Sequence, residues 1–197
     1  MLFSVTGASG AGKSTALRLL EGVAWPEPML CVEFDSIGVP EGADQAWRRS
    51  AIDHWVHRAI AAEVDGQHML LCGQVPPGEL LSAPSSDRLG GIEVCLLDCS
   101  AEERTRRLLA RGEDPASIIH HVRFGQWFRG HALDPTHMPE VIRQDSRVPM
   151  AWDRWRRLKR EDPRWSVEII DTDGRSTLDV ASTIEAWVRK ALEDRGV

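Results

Sequence analysis

The chain has 197 residues and carries 24 Lys and Arg against 30 Asp and Glu, for a net charge of −6. That length suits one domain with a full-sized core, or one core plus a small lid, and leaves two equal domains cramped. The acidic balance supplies no global basic field for duplex nucleic acid, and no apolar stretch approaches the ~18 residues of a membrane span.

The first element is the most informative. "MLFSVTGASGAGKSTALRLLEG" sets an apolar run, Leu2–Thr6, before a glycine-rich loop and an amphipathic stretch over Gly12–Glu21. Gly7, Ala8, Ser9, Gly10, Ala11, Gly12, Lys13 and Ser14 fill G-x-x-x-x-G-K-[ST] completely, after a predicted strand and opening a predicted helix. The three glycines let successive N–H groups turn around phosphate oxygens, and the helix start adds unpaired N–H groups and the positive end of its dipole. Lys13 is placed for β/γ-phosphates, the Ser14 hydroxyl for Mg²⁺, and Thr15 follows in the first helical turn.

Further apolar runs at Met29–Asp35, His68–Gly73, Ile92–Asp98 and Trp165–Asp171 read as strands. Between and after them, helical periods cover Ala43–Val64, Ala101–Ala110, Ala116–Ala132, Met150–Arg160 and Thr177–Asp194, while the proline-rich Val75–Gly91 reads as a long loop. Asp114 before Pro115, and Ser176 with Asp179 three residues on, are helix-start signals. Strands alternating with helices predict a parallel sheet covered on both faces. Cys31, Cys72, Cys95 and Cys99 sit in or beside apolar runs, without C-x-x-C spacing or a secretory leader, and are expected to be buried, reduced thiols of a cytoplasmic protein.

With the loop at residue 7, five strands in this order and the closing "IIDTDGRSTLDVASTIEAWV", the chain resembles the P-loop kinases of nucleotides and small metabolites, such as shikimate kinase, gluconate kinase, chloramphenicol phosphotransferase and adenylate kinase. The resemblance implies a three-layer α/β P-loop NTPase fold, with a five-stranded parallel sheet in order 2-3-1-4-5 and helices on both faces. It implies ATP as donor with Mg²⁺, and an arginine-bearing helical lid, here within an insertion at about 112–164 of a single domain spanning 1–197. "CVEFDSIG" falls where these kinases place an acid facing the γ-phosphate, a position that Asp35 fits. There a carboxylate accepts a hydroxyl proton or holds a metal-bound water, although Asp35 could also simply end a strand and cap a turn. Glu33 lies on the same strand face, so E-x-D resembles the D-x-D of shikimate kinases.

The chain departs from the nucleotide kinases at "LCGQVPPGEL", where Cys72 takes the place of the Mg²⁺-ordering Asp of "LDG". A thiol is no substitute for a hard oxygen ligand, so metal duty shifts to Ser14 and Asp35, and Gln74 becomes a candidate substrate contact. "CSAEERTRRLLARGEDP" resembles the helix leading into the lid. Arg104, Arg107 and Arg111 share a face there, with Arg107 and Arg111 the favoured catalytic arginines, against the reading of a solvated basic face. Asp98, at the end of the fourth strand, ranks as structural.

In the divergent region, Arg123, Trp127 and Arg129 are candidates to clamp a substrate or base. His120, His121, His131 and His137 read as surface or lid residues, and Trp152, Trp155 and Leu158 as core. Arg48 and Arg49 flank a Trp47/Trp55 stripe and would receive an acidic acceptor or form a solvated face. Asp173 and Gly174, with Arg175, fall where relatives pass backbone over adenine. The expected activity is Mg·ATP-dependent transfer of the γ-phosphoryl group to a hydroxyl of a small molecule. The alternatives are a nucleoside or polynucleotide 5′-hydroxyl kinase, and an ATP-binding regulatory module without transfer.

Overall fold

A computed structural model describes residues 1–143 and 148–196; the part of the expected insertion at 144–147 lies outside the described residues. Five parallel strands, β1 (Leu2–Thr6), β2 (Met29–Glu33), β3 (His68–Cys72), β4 (Ile92–Asp98) and β5 (Val167–Asp171), form one sheet in the order β2-β3-β1-β4-β5. Central β1 is buried along its whole length and pairs on both sides, Leu2 lying opposite Met69 of β3 and Ile92 of β4. The expected order 2-3-1-4-5 is therefore the observed one.

The helices are α1 (Lys13–Leu20), α2 (Gln45–Val64), α3 (Pro77–Ser82), α4 (Ala101–Ala110), α5 (Pro115–Leu133), α6 (Asp153–Arg156) and α7 (Thr177–Glu193). Their start signals work as the sequence suggests. Asp114 accepts from the Ala116 N–H with Pro115 in the first turn, and Ser176 and Asp179 form a reciprocal capping box. One face of the sheet packs Phe3, Val5, Cys95 and Leu97 against α1 and α7, and the other packs Leu2, Met69 and Leu71 against α2 and α3. Cys72, Cys95 and Cys99 are buried and Cys31 is half-buried; all four are free thiols.

Three expectations are corrected. Val75–Gly91 is not a plain loop: Pro77 opens a buried turn of helix, and proline is pre-organised for a first helical turn rather than a breaker there. The helix expected over Met150–Arg160 shrinks to α6, from which Trp155 reaches into the core and donates its Nε1–H to Pro135 O at 3.0 Å. The second strand stops at Glu33, and Asp35 sits in a 3₁₀ turn over Phe34–Ile37.

Within the region expected to form the lid, several side chains from Trp127 onward are buried in the core. Trp127, Phe128, Ala132, Ile142, Trp155, Leu158 and Trp165 gather around Leu96 of β4 as a third apolar cluster. His131 is fully buried within it rather than on the surface, its ring stacked on Trp127 at 5.0 Å and its Nε2 accepting from the Gly78 N–H at 3.2 Å. Burial pushes its pKa down to about 3, so the ring is neutral.

Candidate active site

The carboxyl ends of β1, β2 and β3 converge on the glycine-rich loop, where an open sheet of this order places its ligand crevice. Gly7 has no room for a side chain, since a Cβ there would collide with the Leu97 carbonyl, and Gly12 takes φ +93° as the residue capping α1. The loop encloses a cavity of about 210 Å³ whose lining includes Lys13, Ser14, Glu33, Asp35, Gln74 and Arg111. Lys13 donates from Nζ to the Ala8 carbonyl at 3.1 Å, across the mouth of its own loop. Burial, with the charges of Arg104 and Arg111 acting in the same direction and Asp35 against them, pushes its ammonium pKa down to about 8.

Ser14 Oγ donates to Glu33 Oε1, so the carboxylate in direct contact with the loop hydroxyl is Glu33. Asp35 lines the same cavity two residues beyond the strand. The donors gathered here are a hydroxyl and two carboxylates, the hard oxygens that Mg²⁺ prefers. Cys72, buried at the end of β3, has its thiol pKa pushed up to about 12 and remains a neutral neighbour of the lysine. Sequence reasoning ranked Glu33 below Asp35, although strand alternation had already placed Glu33 on the face of the loop.

Arg104 and Arg107 of α4 and Arg111, which caps its C-terminus, have separate fates. Arg111 lines the loop cavity. Arg107 turns to the end of β5, donating to Thr172 Oγ1 at 2.9 Å and Thr172 O at 2.8 Å, and to Gly10 O at 3.2 Å. With Ala11, Gly12, Thr15, Arg106, Thr172, Arg175 and Thr177 it lines a neighbouring cleft of about 280 Å³. Arg104, only 2 % exposed, passes beneath the loop and faces neither opening as a free cation.

Several candidates fall away from these cavities. The Asp173 carboxylate accepts from the Ser100 N–H at 3.1 Å, beside α4, and Gly174 only makes the turn at φ +64°; that loop enters the cleft beside Arg107 through Thr172 and Arg175 instead. Arg48 is engaged by the fully buried Glu79, at 2.9 Å, and by the Gln74 carbonyl. Arg49 is buried rather than solvated, donating to Ile142 O at 3.3 Å with its guanidinium over Trp152. Arg123 is exposed on α5, away from the loop cavity. Trp127 is a core residue that donates to Met138 O, and Arg129 pairs with Asp98 at 2.9 Å, so neither clamps a substrate at the loop. Glu79 was not foreseen, hidden in a segment read as loop.

No family model and no curated protein sequence matches the chain. Solved structures do. Shikimate kinase from Acinetobacter baumannii in complex with shikimate superposes with a TM-score of 0.54 at 15% identity, over 96% of this chain and 93% of that one. The APS kinase of Mycobacterium tuberculosis, in complex with AMPPNP and APS, gives 0.55 at 17% identity over 95% and 96%. A gluconokinase from Sinorhizobium meliloti gives 0.55 at 15% identity over 99% and 97%. Among the described residues no helix is long and apolar enough to cross a membrane. The chain has the fold shared by these P-loop kinases of small molecules.

Proposed function

We propose that the protein is an ATP-dependent kinase that transfers the γ-phosphoryl group to a hydroxyl of a small molecule, with Mg²⁺ as its metal. The observation that carries this reading is one cavity that gathers a complete phosphate loop, Lys13, Arg111, the Ser14–Glu33 pair and Asp35. Such a site supplies what phosphoryl transfer asks of a protein, namely positioning and charge stabilisation. Ser14 with Glu33 and Asp35 would hold Mg²⁺, which when bound offsets charge on the phosphate oxygens.

In this reading Lys13 and Arg111 neutralise the phosphoryl oxygens, and Asp35 aligns the acceptor hydroxyl and takes its proton as the oxygen–phosphorus bond forms and ADP leaves. The cleft beside Arg107, between α4 and the Thr172–Thr177 turn, would take the nucleoside. Gln74, beside the phosphate cavity, is the polar contact offered to the acceptor. Arg48 is already paired with Glu79, which favours an uncharged or cationic hydroxyl compound over an acid.

Asp35→Asn separates chemistry from binding. Affinity for metal-free nucleotide should stay within about twofold, while label transfer from γ-labelled ATP to an accepted compound falls by about 10²-fold or more. Acceptors are found by screening pools of nucleosides, sugars, cyclic polyol acids, aminoglycosides and 5′-hydroxyl oligonucleotides. Salt-sensitive labelling confined to oligonucleotides would replace the small-molecule reading with a polynucleotide kinase, and binding without transfer to any pool would leave a regulatory module.

A further inference from the structure

Arg104 is a buried charge that the reaction just described does not use. Its Nη1 donates to the carbonyl of Ser9, in the phosphate loop, at 2.7 Å; its Nη2 donates to Asp98 Oδ1 at 2.8 Å and more weakly to Cys99 O at 3.4 Å. The other Asp98 oxygen accepts from Arg129 Nη1 of α5 at 2.9 Å. Asp98 is thus gripped from both sides, at the carboxyl end of β4, by arginines from two helices.

The passage of Arg104 is built into its neighbours. A Cβ on Gly125 of α5 would lie 2.6 Å from Arg104 Nε and 2.7 Å from Cζ, and one on Gly10 would lie 3.3 Å from its Cγ. Only glycine on the α5 side leaves the guanidinium room. A planar fork that bonds a carboxylate and a carbonyl at once is a task for arginine, and lysine has no equivalent geometry.

The peptide joining Ser9 to Gly10 carries the consequence. In a trans peptide the C=O and N–H point in opposite directions, so fixing the Ser9 carbonyl on Arg104 fixes the Gly10 N–H away from it. Ser9 and Gly10 line the phosphate cavity. We propose that Arg104, locked by Asp98 and through it by Arg129, is a positioning residue that holds the Ser9–Gly10 peptide with its N–H presented to bound phosphate. Arg129 makes α5 a part of that lock. The inference rests on the reading of the loop as a nucleotide phosphate site.

The test compares wild type, Arg104→Lys, Asp98→Asn and Arg129→Gln for affinity to Mg·AMPPNP by calorimetry, and for the amide resonance of Gly10 in ¹⁵N-labelled protein, well below each variant's unfolding midpoint. Wild type should bind and shift the Gly10 amide. Arg104→Lys and Asp98→Asn should bind about tenfold more weakly or worse with the Gly10 shift diminished, and Arg129→Gln should lose a few-fold. Arg129 is about half exposed, so its variant folds and decides the matter if the buried substitutions do not. Wild-type affinity and a wild-type Gly10 shift in the folded variants would overturn the positioning role while leaving the nucleotide site intact. Failure of wild type itself to bind would remove the nucleotide reading and this inference together.

Discussion

In the proposed site the Lys13 ammonium would meet the phosphate, and burial, which pushes its pKa down to about 8, brings loss of that charge within reach of ordinary buffers. The free protein then carries a charged Lys13 in about nine-tenths of molecules at pH 7 and about one-tenth at pH 9. If phosphate requires the charged form, apparent affinity scales with that fraction. The dissociation constant for Mg·ADP should therefore rise about tenfold between pH 7 and pH 9, equivalent to about 1.4 kcal/mol. Cys72, the nearest other candidate to titrate, is held up at about 12 and stays neutral throughout. Calorimetry at constant ionic strength measures the profile, with Lys13→Met as the comparison, because it lacks the group and should bind weakly with a flat profile. A flat wild-type profile, or the same fall in Lys13→Met, would refute the argument.

Glu33→Gln keeps the size of the Ser14 partner but removes its charge; the Mg²⁺ concentration giving half-maximal turnover should rise severalfold, measured by titrating Mg²⁺ at saturating nucleotide. His131 stays neutral to about pH 3 when folded but titrates near 6.5 when unfolded. The unfolded state therefore binds the extra proton between those values, and stability falls as pH drops below 6.5, by about 2 kcal/mol at pH 5. Urea denaturation at pH 7 and pH 5 should show that loss in wild type and its absence in His131→Gln. Ser176→Ala removes the side chain that caps α7 and should cost about 1 kcal/mol in the same assay, without altering nucleotide affinity.

The parallel sheet and the loop were legible because each rests on local signals that tertiary structure does not override, whereas the strand order came only with the resemblance to the P-loop kinases. The G-x-x-x-x-G-K-S spacing fixes a strand, a turn and a helix at once, and short apolar runs separated by helical periods leave few alternatives to a parallel sheet. The phosphate cavity was legible to the same depth, through Lys13, Ser14 and Asp35. The partners of the arginines were not. Arg48, Arg104, Arg107 and Arg129 all read as cations available to a ligand, yet each is engaged by a group 26 to 97 residues away, such as Gln74, Ser9, Gly10 or Asp98. Helical spacing tells which arginines share a face, and only the packing of α4 and α5 on the sheet decides which of them reach solvent. His131 failed for the complementary reason: a histidine between Phe128 and Ala132 has no sequence mark that separates a neutral core ring from a surface one.

The thiol at the end of β3 ties these observations together. With Cys72 neutral where a metal-ordering carboxylate would sit, the hard oxygen donors at the loop come from the end of β2, Glu33 against the Ser14 hydroxyl and Asp35 in the turn beyond it. Those two carboxylates are not equivalent. Glu33 is fixed by the strand register, opposite Cys72, and by its bond to Ser14, whereas Asp35 sits past the last paired residue and is placed by the Phe34–Ile37 turn, which Trp55 of α2 anchors through its Nε1–H donated to Phe34 O at 2.9 Å. Helix α2 thus holds both ends of what would be the acceptor side in the proposed function, Asp35 through Trp55 and the Gln74 backbone through Arg48. A shift of α2 on acceptor binding would move the proton acceptor and Gln74 together while leaving Lys13, Ser14 and Glu33 on the rigid sheet and loop. In the proposed function this arrangement would keep the phosphate-binding groups preorganised and leave adjustment to the acceptor half of the site.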